Sequence, residues 1–248
     1  MSRKYLPIVI TLTVAWSLAG KAALEGADSA ANTSTSASVS GQVKLEGTAP
    51  KPKLIDMSAD PKCAKSQTPV TTEDIVTDAA GGLENVVIYI SDGLENQTFE
   101  PPKKPAVMEQ KGCTYKPHVL ALQANQKLDV VNDDGTTHNI HPMPNNNREW
   151  NKSQPPGVPI EETFAREEIA IPVKCNVHPW MRGYIAVFKH PYFTVTGKSG
   201  SFDLSNVPPG SYTIQAWHEK LGALTQKVTI GAGETKKLEF VFKATPGS

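Results

Sequence analysis

Ile169, Ile171, Val173 and Cys175 recur at every second position, and His178 and Met181 follow Cys175 within six residues. That spacing constrains the fold more than any other feature. Apolar residues at period two mark a half-buried strand, so the segment predicts a strand whose inward face ends on the Cys175 sulfur. A tight turn beyond it would bring the imidazole of His178 and the thioether of Met181 around the same point. A second imidazole, in His138-Asn139, follows Lys127-Leu128-Asp129-Val130-Val131-Asn132 and an Asp134-Gly135 turn signal, where a neighbouring strand would deliver it.

Two nitrogens, one thiolate and a weak thioether suit a copper ion that cycles between its two oxidation states. Structural zinc sites are usually closed by four Cys or His ligands, and zinc rarely selects methionine. His138, Cys175, His178 and Met181 are therefore the candidate metal ligands, and copper the expected cofactor. The bland alternative is a buried thiol in an ordinary strand. A cysteine protease fits less well, because a His178 on the same turn as Cys175 leaves no orienting third group at the right separation. No enzymatic activity is expected.

Over residues 115–190 the chain resembles the cupredoxin family, and its ligand loop is most similar to the amicyanin-like members. Two residues separate Cys175 from His178, and two separate His178 from Met181. The resemblance implies a Greek-key β-sandwich holding one copper on His138, Cys175 and His178, with Met181 on the axis. It also implies that Asn139 ties the two ligand-bearing loops together. Val119 to His138 reads like the family's paired core strands, and Gly183-Tyr184-Ile185-Ala186-Val187-Phe188 like its closing strand. His141 is a nearby rival imidazole, expected beside the site because the strand already supplies His138. The exposed edge of His178, with Pro179 and the bulky Trp180, is the expected electron port. His118, His190 and His218 have no ligand spacing.

Lys plus Arg and Asp plus Glu number 25 each, so no basic excess recruits nucleic acid. Ser2-Arg3-Lys4, an apolar run from Tyr5 to Ala19 and small residues around Ala19, Gly20, Ala22 and Ala23 have the layout of a secretory signal, assigned here to 1–22. The run is shorter than the roughly 20 residues of a membrane span, and no other span is expected. Export to the periplasm or another extracytoplasmic space suits three cysteines if Cys63 pairs with Cys113 and Cys175 stays on the metal.

Residues 23–40 are small and polar and read as a flexible linker. Residues 41–190 are assigned to the copper module with an N-terminal extension, whose 49–82 stretch is long and turn-rich and whose 145–159 stretch is loop-like. In 191–245 the pairs Phe202/Leu204, Tyr212/Ile214, Val228/Ile230 and Leu238/Phe240 alternate with polar residues between Gly, Pro and Asn turns, so every segment predicts a strand. This region is similar to the carboxypeptidase-regulatory-like, transthyretin-type sandwich, notably through Gly200-Ser201-Phe202-Asp203-Leu204 and Val207-Pro208-Pro209-Gly210-Ser211-Tyr212. It has few strands of its own, and strand 41–46 is expected to complete it. That family also resembles carbohydrate-binding sandwiches, including one beside the catalytic unit of rhamnogalacturonan lyases.

The expectation is an exported all-β protein, a cupredoxin-like sandwich joined to a small regulatory-like one, carrying single electrons to a protein redox partner. The alternatives are a glycan-binding or structural module, and copper storage or delivery.

Overall fold

The structure is a computed structural model describing residues 36–65 and 69–244. The expected signal at 1–22 and the linker as far as residue 35 lie outside the described residues, and the linker does not extend to 40 as expected, because Ala37 to Ser40 are already in a strand with Ala37 and Val39 buried in the core. In chain order the elements are β1 (Ala37–Glu46), α1 (Pro61–Ala64), β2 (Val87–Asp92), β3 (Ala106–Gln110), β4 (Tyr115–Lys116), β5 (Val119–Gln123), β6 (Leu128–Asn132), β7 (His138–Pro142) and β8 (Lys152–Gln154). There follow β9 (Ile160–Glu162), β10 (Glu168–Lys174), β11 (Arg182–Phe188), β12 (Phe193–Val195), β13 (Ser201–Val207), β14 (Gly210–His218), β15 (Gly222–Ile230) and β16 (Thr235–Lys243). The protein is all-β.

Four sheets form two sandwiches. One pairs the sheet β13-β1-β16 with β12-β2-β14-β15, and the other pairs β5-β11-β10-β7-β8 with β4-β3-β6-β9. The first encloses Val39, Val43, Ile88, Leu204, Ile214, Phe240 and Phe242. The second encloses Met108, Leu122, Val130, Ile140, Val173 and Ile185, and with them Cys175 and Met181.

β1 lies between β13, antiparallel, and β16, parallel. Gly41 permits that close pairing, since a Cβ there would stand 1.9 Å from the Leu238 carbonyl oxygen. Inward alternation in β14 and β16 matches the sequence pattern: Tyr212, Ile214 and Ala216 are buried, as are Phe240 and Phe242.

Two strands show why some segments carry no alternation. In Val86-Val87-Ile88-Tyr89-Ile90, the residues Val86, Ile88 and Ile90 face the first core, while Val87 and Tyr89 face a third cluster. In β11, Ile185 and Val187 face the second core and Ala186 and Phe188 the third. The third cluster is the seam between the two sandwiches, where Phe188 stacks on Phe193 at 4.6 Å and tilts against Tyr89 at 4.8 Å. Burial of both faces, which removes the polar half of the pattern, produces a continuous apolar run.

Three differences from the sequence reading have physical causes. β2, assigned by sequence to the extension of the copper module, hydrogen-bonds to β12 and β14 in the other sandwich. The inward face of β10 begins at Ile171, because the register shifts between Glu168 and Ile171, where Ala170 has a φ of 66°. That bulge turns Ile169 to the seam. Finally, the 145–159 stretch contains β8, and its start is pinned by Glu168, whose buried carboxylate accepts from the backbone N–H groups of Asn145, Asn146 and Asn147.

Candidate metal centre

β7 begins at His138, and by strand parity His138 and Ile140 point into the second core while Asn139 and His141 point out of it. β10 ends one residue before Cys175, and β11 begins one residue after Met181. The seven-residue link is closed by two backbone bonds, Met181 N to His178 O at 2.9 Å and Cys175 N to Met181 O at 3.1 Å. Cys175 and His178 are thereby folded back toward one another, and the side chains of Cys175, His178 and Met181 are all buried.

The inward-facing atoms converge. His138 Nδ1 lies 2.9 Å from His178 Nδ1, and Cys175 Sγ lies 3.8 Å from His178 Nδ1. The donor atoms of His138, Cys175 and His178 all fall within 4.8 Å of one another. Ligands each held at about 2.0–2.3 Å from a common ion have separations of this order. Met181 is fully buried in the same core.

Each histidine is backed by a carboxylate. Nε2 of His138 is 2.8 Å from Asp134 Oδ2, and Nε2 of His178 is 3.0 Å from Asp60 Oδ2. An Nε2–H donated to a carboxylate fixes the tautomer that leaves Nδ1 as a lone pair. Two lone pairs facing each other across 2.9 Å repel unless a proton or a metal ion lies between them. This donor set therefore fits a metal ion, and a soft thiolate with two imidazoles and a thioether fits copper.

Electrostatics point the same way. Burial opposes ionisation of Cys175, yet the hydrogen bond from His138 and the backbone N–H groups of His178, Val177 and Asn139 hold its thiol below the usual range. The His178 N–H lies 3.4 Å from the sulfur. Burial likewise opposes a charge on His138, but Asp134 and the Cys175 sulfur outweigh it and push His138 up to about 9. The thiolate is the metal-binding form.

Asn139 joins the two ligand segments: its side-chain oxygen accepts from Asn176 N at 2.8 Å, and its amide nitrogen donates to Asn151 Oδ1. His141 is turned away from the converging atoms. Its Nε2 lies 2.6 Å from Glu149, and its Nδ1 lies 3.2 Å from Asn176 Oδ1. Trp180 rests on His178 with ring centroids 5.0 Å apart and donates its indole N–H to Cys113 O. The Pro179 carbonyl accepts from Arg182 Nε.

One expectation is overturned by this geometry. His178 presents no exposed edge, for it is only 2% exposed. The segment around α1 lies across it: Asp60 holds Nε2, and Cys63 Sγ is 3.8 Å away. Cys63 and Cys113 form a disulfide with Cα atoms 5.8 Å apart, and Cys175 is a free thiol. The Cys113 loop in turn rests on Asp134, whose carboxylate accepts from Gly112 N at 2.7 Å and Cys113 N at 2.8 Å. The bridge thus links the two segments that orient the two histidines. Asp60 and Asp134 have no motif of their own. Their visible signals are an Asp-Pro helix start three residues before Cys63 and a carboxylate four residues before His138.

Comparison with solved structures finds partial matches of low score. The chain is similar to a copper-containing nitrite reductase from Thermus scotoductus SA-01 at 19% identity and a TM-score of 0.33, over 38% of this chain and 26% of that one. A purple cupredoxin from Nitrosopumilus maritimus matches at 23% identity and a TM-score of 0.29, over 33% of this chain and 98% of that one. A reduced amicyanin variant matches at 19% identity and a TM-score of 0.31, over 40% of this chain and 97% of that one. A family model, polysaccharide lyase family 4 domain II, matches residues 169–238. That span runs from β10 through the Cys175–Met181 turn and into β16, so it crosses both sandwiches. Comparison with curated proteins finds no match.

Proposed function

We propose that this chain is an extracytoplasmic copper protein that passes single electrons. The observation that carries the reading is the convergence of His138 Nδ1, His178 Nδ1 and Cys175 Sγ, with each outer imidazole nitrogen held by a carboxylate. Copper, when bound, would supply the one-electron couple. His138, Cys175 and His178 would hold it, and Met181 would contribute a weak thioether. The chain's own contribution is rigidity: strands fix His138 and Cys175, two backbone bonds close the turn, and the buried surroundings exclude water. A site whose ligands cannot move reorganises little when an electron arrives.

Trp180 is the route we assign to the electron, because its indole touches His178 and also lines a cleft of about 280 Å³ with Pro179, Arg182, Tyr184, His118 and Glu219. The partner would dock there. The Cys63–Cys113 disulfide supports a location outside the reducing cytosol, and among the described residues no helix is long and apolar enough to cross a membrane.

The test is a visible spectrum with copper quantification. Wild type loaded with one equivalent of copper is expected to show a thiolate charge-transfer band, and Cys175→Ser to lose it. Equal colour in both proteins would overturn the assignment.

A second reading rests on the family-model match, which supports a glycan-binding role for the β1-containing sandwich. It predicts sugar affinity that does not change when copper is removed, measurable by calorimetry against pectic oligosaccharides.

A further inference from the structure

We infer that Asp60 is a positioning residue for the metal, locking His178 in its metal-binding tautomer and closing the outer edge of the site. The inference rests on the copper reading above and deepens it. Asp60 sits at the N-cap of α1, where its Oδ1 accepts from Lys62 N at 2.7 Å. Its other oxygen accepts from Thr136 Oγ1 at 2.9 Å and faces His178 Nε2 at 3.0 Å. One carboxylate therefore does two separable jobs. Oδ1 starts a helix, and Oδ2 selects which nitrogen of His178 carries the proton.

The placement of Asp60 is built in. Three residues on, Cys63 is bonded to Cys113, whose N–H rests on Asp134, the partner of His138. Lys62 Nζ also donates to the Gly135 carbonyl at 2.6 Å. The carboxylates behind the two histidines are thus held on one covalently closed frame. An anionic acceptor behind an imidazole raises its basicity, and loss of such an outer partner costs about 10- to 100-fold in metal affinity. The negative charge also favours the more positive, oxidised ion.

Asp60→Asn separates the two jobs. Asparagine remains a good N-cap through its oxygen. Its NH₂ group would replace Oδ2 and confront the His178 Nε2–H as a second donor, which favours the alternative tautomer with the proton on Nδ1. That proton would point at His138 Nδ1 and occupy the place of the metal.

Three readouts test the inference on the full chain. Long-range proton–nitrogen NMR of the metal-free protein is expected to place the His178 proton on Nε2 in wild type and on Nδ1 in Asp60→Asn. Chelator competition is expected to show copper bound about 10- to 100-fold more weakly by the variant. The reduction potential of the copper-loaded variant is expected to rise. Thr136→Val, which removes only one hydrogen bond to Asp60, is expected to shift affinity and potential in the same directions by less. A wild type that takes up no copper would sink the function proposed above. A wild type that binds copper, with Asp60→Asn showing the same tautomer, affinity and potential, would leave that function standing and overturn the role of Asp60.

Discussion

The Nδ1 atoms of His138 and His178 stand 2.9 Å apart, each on a ring whose far nitrogen is held by a carboxylate. Without a cation between them the pair must keep a proton. With His138 pushed up to about 9 by Asp134 and Cys175 against the opposing effect of burial, that proton is present at neutral pH. Copper uptake at pH 7 is therefore expected to release about one proton per ion from the imidazole pair, in addition to any proton still on the Cys175 thiol. Calorimetry in buffers of different ionisation enthalpy measures it, and zero release would show that the metal-free pair is already deprotonated.

The two histidines of β7 should behave oppositely on substitution. His138→Ala removes an inward nitrogen and is expected to weaken copper binding beyond the about 10- to 100-fold typical of an outer partner. His141→Ala breaks only contacts to Glu149 and Asn176 and should leave affinity unchanged. Competition titrations with a chelator of known affinity decide, and the reverse ranking would place the metal on the other face of β7.

Met181 is fully buried, so Met181→Leu conserves volume and should cost less than about 1.5 kcal/mol of stability. Loss of the weak thioether disfavours the oxidised ion, so the reduction potential should rise while copper is retained. Voltammetry on the two proteins compares them directly. An unchanged potential would mean that the thioether does not reach the metal.

The disulfide spans 50 residues, and a closed loop of that length is worth about 4 kcal/mol on the chain-entropy account. Mild reduction of the metal-free protein should lower its stability by a comparable amount in urea titrations. It should also speed copper loss from the loaded protein, because Asp60 is carried by the bridged segment. A reduced protein that keeps its copper as tightly as the oxidised one would show that the cap stays closed without the bond.

Acid should destabilise the fold through His218. Burial lowers its pKa to about 4, with charges on Glu219, His118 and Lys220 adjusting that smaller in extent, and its Nδ1 accepts from Lys220 N. The unfolded chain binds this proton near pH 6.5, so between there and pH 4 it is the unfolded state that gains protons. Stability present above pH 6.5 is lost as pH falls through that window, on the order of 3 kcal/mol in all. Urea titrations at pH 7 and pH 4.5 on wild type and His218→Gln measure it, and equal pH dependence in both would assign the loss to other groups.

Sequence patterning reads well wherever one face of a strand meets water. The alternation of Tyr212, Ile214 and Ala216 with Thr213 and Gln215, and of Val173 and Cys175 with Lys174, is reproduced in the burial of those side chains. It reads poorly where both faces are covered, which is why Val86 to Ile90 could be seen as a strand but not placed in a sheet. The approach of Cys175 to His178 was legible because the two lie on one short turn. Asp60 was not, because its approach to His178 depends on a bridge and a helix cap rather than on spacing. The burial of His178 follows from the same segment, whose turn-rich composition gives no hint of what it covers.

β1 has a further consequence for how the chain reaches this state. Ser38 hydrogen-bonds to Thr235 across 197 positions, in a parallel pairing that leaves nearly all of the described residues looped out between the partners. Contacts so distant in sequence form slowly, because the loop must be closed before they repay its entropy. During synthesis β1 waits with its β16 edge unpaired until β16 has emerged, while the sandwich that carries His138 and Cys175 has all of its own strands much earlier. Assembly order is thereby set by topology: the sandwich around Cys175 can close first, and the strand that begins the described chain is among the last to be locked.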